Sequence, residues 1–194
     1  MIINGLRIFE NKKFEDDRGY FIEVMNRERC VEKKESFEFL LKKEYVQENE
    51  SMSNKNVIRG LHFQLPKQQA KLIRVIKGKI LDVCVDLRPW SKTYLLHSKI
   101  ELSEYNNKML YVPMYFAHGF LSLENETIVN YKCTTSYDPK GQYGIRWDDE
   151  RLGIKWGIDS KNAILSNKDS ELPNLEEALG NYLKQINATR SKNG

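Results

Sequence analysis

The sequence predicts an all-β protein built as a sandwich, jelly roll or barrel, with helices only near its two ends. From Tyr45 onward, short apolar segments recur between turn residues, a pattern typical of antiparallel β folds. In Lys79–Leu87, apolar residues alternate with Asp82, Cys84 and Asp86, which predicts a half-buried antiparallel strand. Strands are predicted at Tyr45–Ser51, Val57–Gln64, Lys71–Ile76, Lys79–Leu87, Leu95–Leu102, Met109–Val112, Gly119–Leu123 and Thr127–Thr134.

The N-terminal segment adds two short strands and one helix to this prediction. Leu6–Glu10 alternates as a short strand, and Phe14–Gly19 reads as a polar turn that leads into a second strand at Tyr20–Val24. The segment Asn26–Leu41 has a ragged apolar side, and its first residue can cap a helix. We therefore predict a short early helix at this place.

Two further patterns concern connections and the end of the chain. Lys77-Gly78 lies between two predicted strands and predicts a tight hairpin turn. Pro173-Asn174 precedes a helical pattern, which predicts a C-terminal helix over Leu175–Ile186. The 194 residues suffice for one domain with a sizeable core, which we place over residues 1–194 with its β core at about 45–150.

Composition and charge exclude several classes of protein. The 31 basic and 27 acidic residues give a net charge of +4 and are interspersed, which argues against a nucleic-acid-binding arm. No apolar run is long enough to cross a bilayer and no signal-peptide pattern begins the sequence, so we expect no membrane partner and a cytoplasmic location. Cys30, Cys84 and Cys133 are odd in number and widely spaced, which predicts reduced, mostly buried thiols.

The stretch Arg59–Gln64 places a cation, a glycine and a histidine within one predicted strand. On a regular strand, Arg59 and His62 would face opposite sides of the sheet, because successive side chains alternate. Gly60 lies between them, where a β-bulge could turn both side chains toward one pocket.

Cofactor-dependent chemistry has little support in the sequence. The three histidines, His62, His97 and His118, include no His-x-His pair, so no metal site is predicted. Neither a phosphate-binding glycine-rich loop nor a Gly-x-Ser-x-Gly elbow is present. What remains is acid–base chemistry without a cofactor, although each candidate group also has an ordinary structural role as its alternative. The candidate acid–base groups are His62, Lys71, His118, Tyr131 and Asp169, and the candidate anion contacts are Arg18, Arg59 and Lys168.

Seven motifs occur in a characteristic order along nearly the whole chain, from about Leu6 to Pro173. They are Asp17–Phe21, Val46–Asn49, Arg59–Gln64, Lys71–Arg74, Val112–Phe120, Tyr131–Thr134 and Ile164–Asp169. Any one of these motifs is weak evidence, but the seven in register are specific. Together they resemble the motifs of the dTDP-4-dehydrorhamnose 3,5-epimerase family.

The resemblance implies a cupin-type jelly-roll barrel, a homodimer and a nucleotide-sugar substrate, with neither a metal nor a cofactor. It implies that His62 is the base, oriented by Asp169, and that Tyr131 is the acid on the other face of the sugar. Lys71 would lie near the C4 oxygen. The substrate-binding residues that it implies are Arg18, Glu23, Gln47, Asn49, Arg59, His118, Tyr137, Gln142 and Lys168.

Two positions depart from the family pattern. Ser136-Tyr137 stands where the family often has two adjacent tyrosines, and Gln142 stands where it usually has a glutamate. These departures leave open which nucleotide and which 4-keto sugar are bound. The resemblance implies an epimerase that inverts C3 and C5 of dTDP-4-dehydro-6-deoxy-D-glucose. The alternatives are an enzyme that inverts one carbon or takes another nucleotide sugar, and a sugar-binding jelly roll without catalysis.

Overall fold

The computed structural model describes residues 3–26 and 44–192, and most of the regular structure in them is antiparallel β-sheet. The strands are β1 Arg7–Glu10, β2 Lys13–Asp16, β3 Gly19–Ile22, β4 Gln47–Ser53, β5 Ile58–Gln64, β6 Lys71–Lys77, β7 Lys79–Asp86, β8 His97–Ser103, β9 Lys108–Val112, β10 Phe116–Ser122, β11 Thr127–Cys133 and β12 Gln142–Gly144. A 3-10 turn at Ser160–Asn162 precedes two α-helices, α1 Asn167–Ser170 and α2 Leu175–Lys192. The predicted early helix lies outside the described residues, apart from its first residue, Asn26.

The strands form two five-stranded sheets and one separate hairpin. The first sheet has the order β1-β9-β6-β11-β4, the second has the order β12-β5-β10-β7-β8, and β2 pairs with β3. Side chains from both large sheets meet in one apolar cluster, which includes Ile73 and Val129 from the first sheet and Ile80 and Leu102 from the second. The two sheets therefore face each other across a shared interior. This arrangement confirms the predicted all-β jelly roll.

The connection at Gly78 crosses between the two sheets. It joins β6 of the first sheet to β7 of the second, so the predicted hairpin at Lys77-Gly78 is wrong. Gly78 has a φ of +78°, and a Cβ atom there would lie 2.5 Å from Oγ1 of Thr127, so glycine is required on both counts. The sequence marks the turn correctly, but it does not specify which strands become neighbours.

Strand β7 is buried on both faces, although its alternating sequence predicted one solvent-facing side. Asp82, Cys84 and Asp86 have no exposed surface. These polar side chains are tolerated in the interior because hydrogen bonds within the protein satisfy them. Asp86, for example, accepts bonds from Nε of Arg88 at 2.8 Å and from Oγ1 of Thr93 at 2.7 Å. On β7, the alternation of polar and apolar residues therefore separates two buried faces, rather than a solvent-facing side from a buried one.

The chain after β12 covers the outer face of the second sheet. Trp147, Trp156, Leu175 and Tyr182 pack in one buried cluster with strand residues such as Val83. A carboxylate helps to fix the start of α2, because the Leu175 amide donates to Oδ2 of the buried Asp149 at 2.7 Å.

Backbone hydrogen bonds hold the same C-terminal segment against β5. The Ile58 amide donates to the carbonyl of Ile164 at 3.0 Å, and the Ile164 amide donates to the carbonyl of Asn56 at 3.0 Å. Helix α1 begins three residues later. This pairing therefore brings α1 next to the strand that carries His62.

Several elements differ from their predicted bounds. Strand β2 occupies part of the predicted polar turn, β12 was not predicted, and β10 begins at Phe116 rather than at Gly119. The earlier start of β10 places His118 inside a strand, paired with His62 of β5. No helix among residues 3–26 and 44–192 combines the length and the apolar character needed to span a membrane.

Candidate active site

A cavity with two adjoining lobes, of about 310 Å³ and about 320 Å³, lies between the two sheets. Strands β5, β10 and β12 supply one wall, and β6 and β11 supply the other. The residues that line both lobes are His62, Lys71, His118, Tyr131, Tyr137 and Gln142. Of the other residues predicted for the site, Gln47 and Asn49 line the first lobe, while Arg59, Lys168 and Asp169 line the second. The fold thus brings together every predicted site residue except Arg18 and Glu23.

A β-bulge at Gly60 aims Arg59 and His62 into this cavity. On β10, His118 pairs with His62 and Phe120 pairs with Arg59, so β5 has one more residue than its partner over this stretch. Gly60 has a φ of +106°, and a Cβ atom there would lie 2.6 Å from the carbonyl oxygen of His118. The bulge expected from the sequence is confirmed, and it requires glycine.

His62 is held by a buried carboxylate. Its Nε2 lies 2.6 Å from Oδ1 of Asp169, whose Oδ2 accepts a bond from Oγ of Ser166 at 2.9 Å. Ser166 also caps α1 by accepting the Asp169 amide at 3.1 Å, which fixes the carboxylate. Burial acts to raise the pKa of Asp169, but the bonds and charge of His62 and the bond from Ser166 hold it below its ordinary value. An ionised Asp169 favours the tautomer with a proton on Nε2, which leaves Nδ1 to take a proton.

Tyr131 faces the cavity from the opposite sheet. It lies in β11, where it pairs with Asn49 on one side and Ile73 on the other. Burial, together with the nearby Cys133, raises the pKa of its hydroxyl, although Arg59 lowers it in part. A raised pKa keeps the hydroxyl protonated at neutral pH, so this group has a proton to donate.

Lys71 supplies a cation on the same wall as Tyr131. It is the first residue of β6 and pairs with Cys133 of β11. Burial lowers the pKa of its ammonium group, while Cys133, Asp82 and Cys84 act in the opposite direction. An ammonium group at this place can stabilise negative charge that develops on an oxygen in the cavity.

A second histidine–carboxylate pair lies next to His62. Nε2 of His118 is 2.8 Å from Oδ2 of Asp82, and Sγ of Cys84 donates to Oδ1 of the same carboxylate at 3.4 Å. Burial, followed by the charge and the hydrogen bond of Asp82, raises the pKa of the Cys84 thiol. Sequence reasoning did not select either residue for the site. It predicted Cys84 only as a buried thiol, which is confirmed, and Asp82 only as a polar position in a half-buried strand.

Polar side chains at the cavity's edge form two small networks. Nζ of Lys168 donates to Oε1 of Gln142 at 2.8 Å and to the Tyr137 hydroxyl at 3.4 Å. The Tyr137 amide donates to Oε1 of Gln47 at 2.7 Å, and Nε2 of Gln47 donates to Oδ1 of Asn49 at 2.8 Å. Gln142 therefore gives Lys168 a neutral partner, so this contact does not neutralise the lysine's positive charge.

Arg18 and Glu23 lie outside the cavity lining. Arg18 is exposed in the β2–β3 hairpin, where its Nη2 lies 2.6 Å from Oδ2 of Asp16. Glu23 follows β3 and accepts a bond from Nδ2 of Asn26 at 2.9 Å. The structure of one chain therefore does not bring these two residues to the predicted site.

The fold and this cavity define a class: a cupin-type jelly roll with a histidine–carboxylate pair and a tyrosine on facing walls, suited to acid–base catalysis. The chain belongs to the dTDP-4-dehydrorhamnose 3,5-epimerase family, a family of isomerases whose model matches residues 1–177.

Relatives and solved structures agree with this assignment. A Methanothermobacter thermautotrophicus dTDP-4-dehydrorhamnose 3,5-epimerase is 45% identical over 176 residues, covering 90% of this chain and 92% of that protein. The Legionella pneumophila dTDP-6-deoxy-D-glucose-3,5-epimerase, solved with dTDP-4-keto-L-rhamnose, is 36% identical with a TM-score of 0.82, covering 91% and 90% of the two chains. A 3'-monoepimerase from Streptomyces bikiniensis, solved with dTDP-quinovose, is 28% identical with a TM-score of 0.80, covering 93% and 89%.

Proposed function

We propose that the protein converts dTDP-4-dehydro-6-deoxy-D-glucose to dTDP-4-dehydro-L-rhamnose by inverting C3 and C5 without a cofactor. The observation that carries this proposal is the placement of His62 and Tyr131 on facing walls of one cavity. A base and an acid that approach from opposite sides are what inversion of a carbon centre requires.

The chemistry follows from the 4-keto group of this sugar. The ketone acidifies the hydrogens at C3 and C5, so Nδ1 of His62 can remove one, while Asp169 stabilises the imidazolium that forms. The enolate oxygen at C4 gains negative charge, which the Lys71 ammonium can stabilise. Tyr131 then delivers a proton to the other face of the same carbon. Once His62 has released its proton to solvent and Tyr131 has regained one, the same steps at the second carbon give the doubly inverted sugar.

Binding of the nucleotide diphosphate is assigned to the cations and amides near the cavity. Arg59 and Lys168 both line the second lobe, and an arginine can bind phosphate oxygens in pairs. Nε of Arg59 donates to Oγ of Ser53 at 3.0 Å, which positions the guanidinium at the wall. We assign further contacts with the substrate to Gln47, Asn49, His118, Tyr137 and Gln142, which all line the cavity.

Two alternatives use the same cavity. A mono-epimerase that inverts one carbon is the nearer alternative, because the fold also resembles the Streptomyces bikiniensis 3'-monoepimerase, although at a lower identity than the 3,5-epimerases. A sugar-binding jelly roll without catalysis is disfavoured, since binding alone has no use for a facing base and acid.

Incubation with the substrate in D2O, followed by NMR, distinguishes the three functions. We expect deuterium at both C3 and C5 without an added metal or cofactor. Deuterium at one carbon only would indicate a mono-epimerase. No incorporation with any of several 4-keto nucleotide sugars would indicate a sugar-binding protein without catalysis.

We also propose that two copies of the chain form a homodimer through the β2–β3 hairpin. This hairpin stands apart from both large sheets, and its Phe14, Tyr20 and Phe21 side chains are 49%, 55% and 67% exposed. Exposed aromatic side chains on a two-stranded sheet favour burial against another protein surface. In such a dimer Arg18 and Glu23 could reach the second subunit's cavity, which would account for their match to the family motif.

Light scattering tests this assembly. We expect the mass of a dimer at micromolar concentration, and a monomer with lower activity for Phe21→Asp, because a buried carboxylate would oppose association. Tyr105→Asp is the matched control, since Tyr105 is 68% exposed in the turn between β8 and β9. A fully active wild-type monomer would contradict the proposal.

A cytoplasmic location is part of the same proposal. Cys84 and Cys133, the cysteines among the described residues, are both free and buried. Free thiols are typical of a reducing compartment.

A further inference from the structure

Three metal-binding side chains from two adjacent strands meet at one place directly behind the cavity wall. His118 lines the cavity, and Asp82 and Cys84 are buried behind it. Asp82 and Cys84 lie two residues apart on β7, so their side chains extend from the same face of the strand. His118 of β10 pairs directly with Cys84 across the sheet. One ligand atom from each of the three lies within 4.8 Å of the other two.

We propose that Asp82, Cys84 and His118 bind a thiophilic divalent cation such as Zn²⁺ or Co²⁺, and that the bound cation inhibits the enzyme. The cation is thus an inhibitor held at the cavity wall and takes no part in the epimerisation proposed above.

The spacing of the three side chains suits a tetrahedral ion. Bonds of about 2.0–2.3 Å to nitrogen, oxygen and sulfur place the ligand atoms of a Zn²⁺ ion roughly 3–4 Å apart. In this structure the carboxylate is 2.8 Å from Nε2 of His118 and 3.4 Å from Sγ of Cys84. Small rotations of the side chains would therefore admit an ion in place of two hydrogen bonds.

The protons balance when the cation replaces these bonds. The Cys84 thiol releases its proton to solvent and binds as thiolate, while Asp82 binds as carboxylate. His118 binds through Nε2 in the tautomer that carries its proton on Nδ1. A divalent cation with one thiolate, one carboxylate and one neutral imidazole then forms a group without net charge. That cancellation lowers the free-energy penalty of holding the ion in a buried place.

The ligand set also selects the kind of cation. A thiolate prefers ions such as Zn²⁺ and Co²⁺, while Mg²⁺ and Ca²⁺ prefer sites made of oxygen ligands. Lys71 is the nearby cation that opposes binding, since it interacts with both Asp82 and Cys84.

The cavity gives the ion both an entry path and an inhibitory position. His118 lines both lobes, and 11% of its side chain is exposed, so an ion that enters the cavity can reach it. Three protein ligands leave a fourth position open, as in many zinc sites with an exchangeable ligand. A cation at this place occupies His118, which the proposed function assigns to the substrate, so inhibition is the expected consequence.

Cobalt titration tests the site without any substrate, so its result does not depend on the proposed function. The protein is prepared with Cys30→Ser, which leaves Cys84 and Cys133 as the two thiols. We expect one Co²⁺ per chain and a near-ultraviolet thiolate-to-cobalt charge-transfer band. Cys84→Ala should abolish the band, and Cys133→Ala, the matched control with a second buried thiol, should keep it.

Inhibition by Zn²⁺ is the second measurement, and this part rests on the proposed function. We expect inhibition that a chelator reverses and that Mg²⁺ does not reproduce. Cys84→Ala should raise the half-inhibitory Zn²⁺ concentration by about tenfold or more.

Three outcomes would overturn the proposed site. They are a wild-type protein without the charge-transfer band, a band that Cys133→Ala rather than Cys84→Ala removes, and equal inhibition of the wild type and Cys84→Ala by Zn²⁺. If Cys84→Ala fails to fold, Cys84→Ser keeps the side-chain size and should lose the band in the same way.

Discussion

His62→Ala is expected to lower the rate of epimerisation by about 10²–10⁴-fold while the protein keeps its fold, because a positioned general base contributes that much. The imidazole contacts Asp169 at 2.6 Å and lines both lobes of the cavity. Alanine removes the base and leaves the carboxylate without its partner. Rates with dTDP-4-keto-6-deoxyglucose, together with circular dichroism, check both parts of the prediction.

Asp169→Asn should lower the rate as well, for a different reason. The amide nitrogen of asparagine can donate to Nε2 of His62, which would place the histidine proton on Nδ1 and remove the base from the cavity side. His97→Ala is the matched control, since His97 lies in β8 and does not line the cavity. A His62→Ala protein that keeps most of its activity would contradict the assignment of His62 as the base, and one that unfolds would assign His62 a structural role.

Tyr131→Phe is expected to lower inversion by about 10²–10⁴-fold, or roughly 3–5 kcal/mol of barrier, while exchange of the substrate hydrogen falls much less. His62 faces the cavity from the second sheet and can still form the enolate in this variant. The imidazolium can then return a solvent-derived proton to the face from which it came. In D2O, the variant should therefore incorporate deuterium into the sugar while most of the sugar molecules keep their original configuration.

The exchange and inversion rates come from the same NMR time course. Tyr143→Phe is the matched control, since Tyr143 lies in β12 and stacks on Phe63 at 5.8 Å between ring centroids, and it should keep both rates. If exchange and inversion fall together in Tyr131→Phe, the tyrosine acts before the enolate forms. Its assignment as the acid on the opposite face would then be wrong.

Local patterns in the sequence predicted the strands and part of the site. Alternating polarity and turn residues located most strands from β4 to β11 within a few residues, because these properties depend on adjacent positions. The glycine at position 60 indicated a bulge, and the structure contains one. The prediction that Tyr131 and Asp169 share a site with His62 came from the resemblance to a family and not from periodicity.

Features that depend on strand pairing were not predictable in this way. The turn at Gly78 looks like that of a hairpin, yet it connects two sheets, because partner choice is decided by distant strands. The alternating pattern placed Asp82 on a solvent-facing side of its strand, yet Asp82 is buried, with His118 of the neighbouring β10 bonded to it. Nothing in a single-sequence pattern marks such a pairing, since the residues are more than 30 positions apart.

The most direct test of the account is a crystal structure of the protein with dTDP-6-deoxy-D-glucose, in which a hydroxyl replaces the reactive ketone. The hydroxyl cannot acidify C3 or C5, so the sugar should stay intact in the cavity. We predict the His62 ring on one face of the sugar and the Tyr131 hydroxyl on the other, each about 3–3.5 Å from the ring carbons that react. A sugar with both groups on one face, or bound outside the cavity between the sheets, would contradict the account.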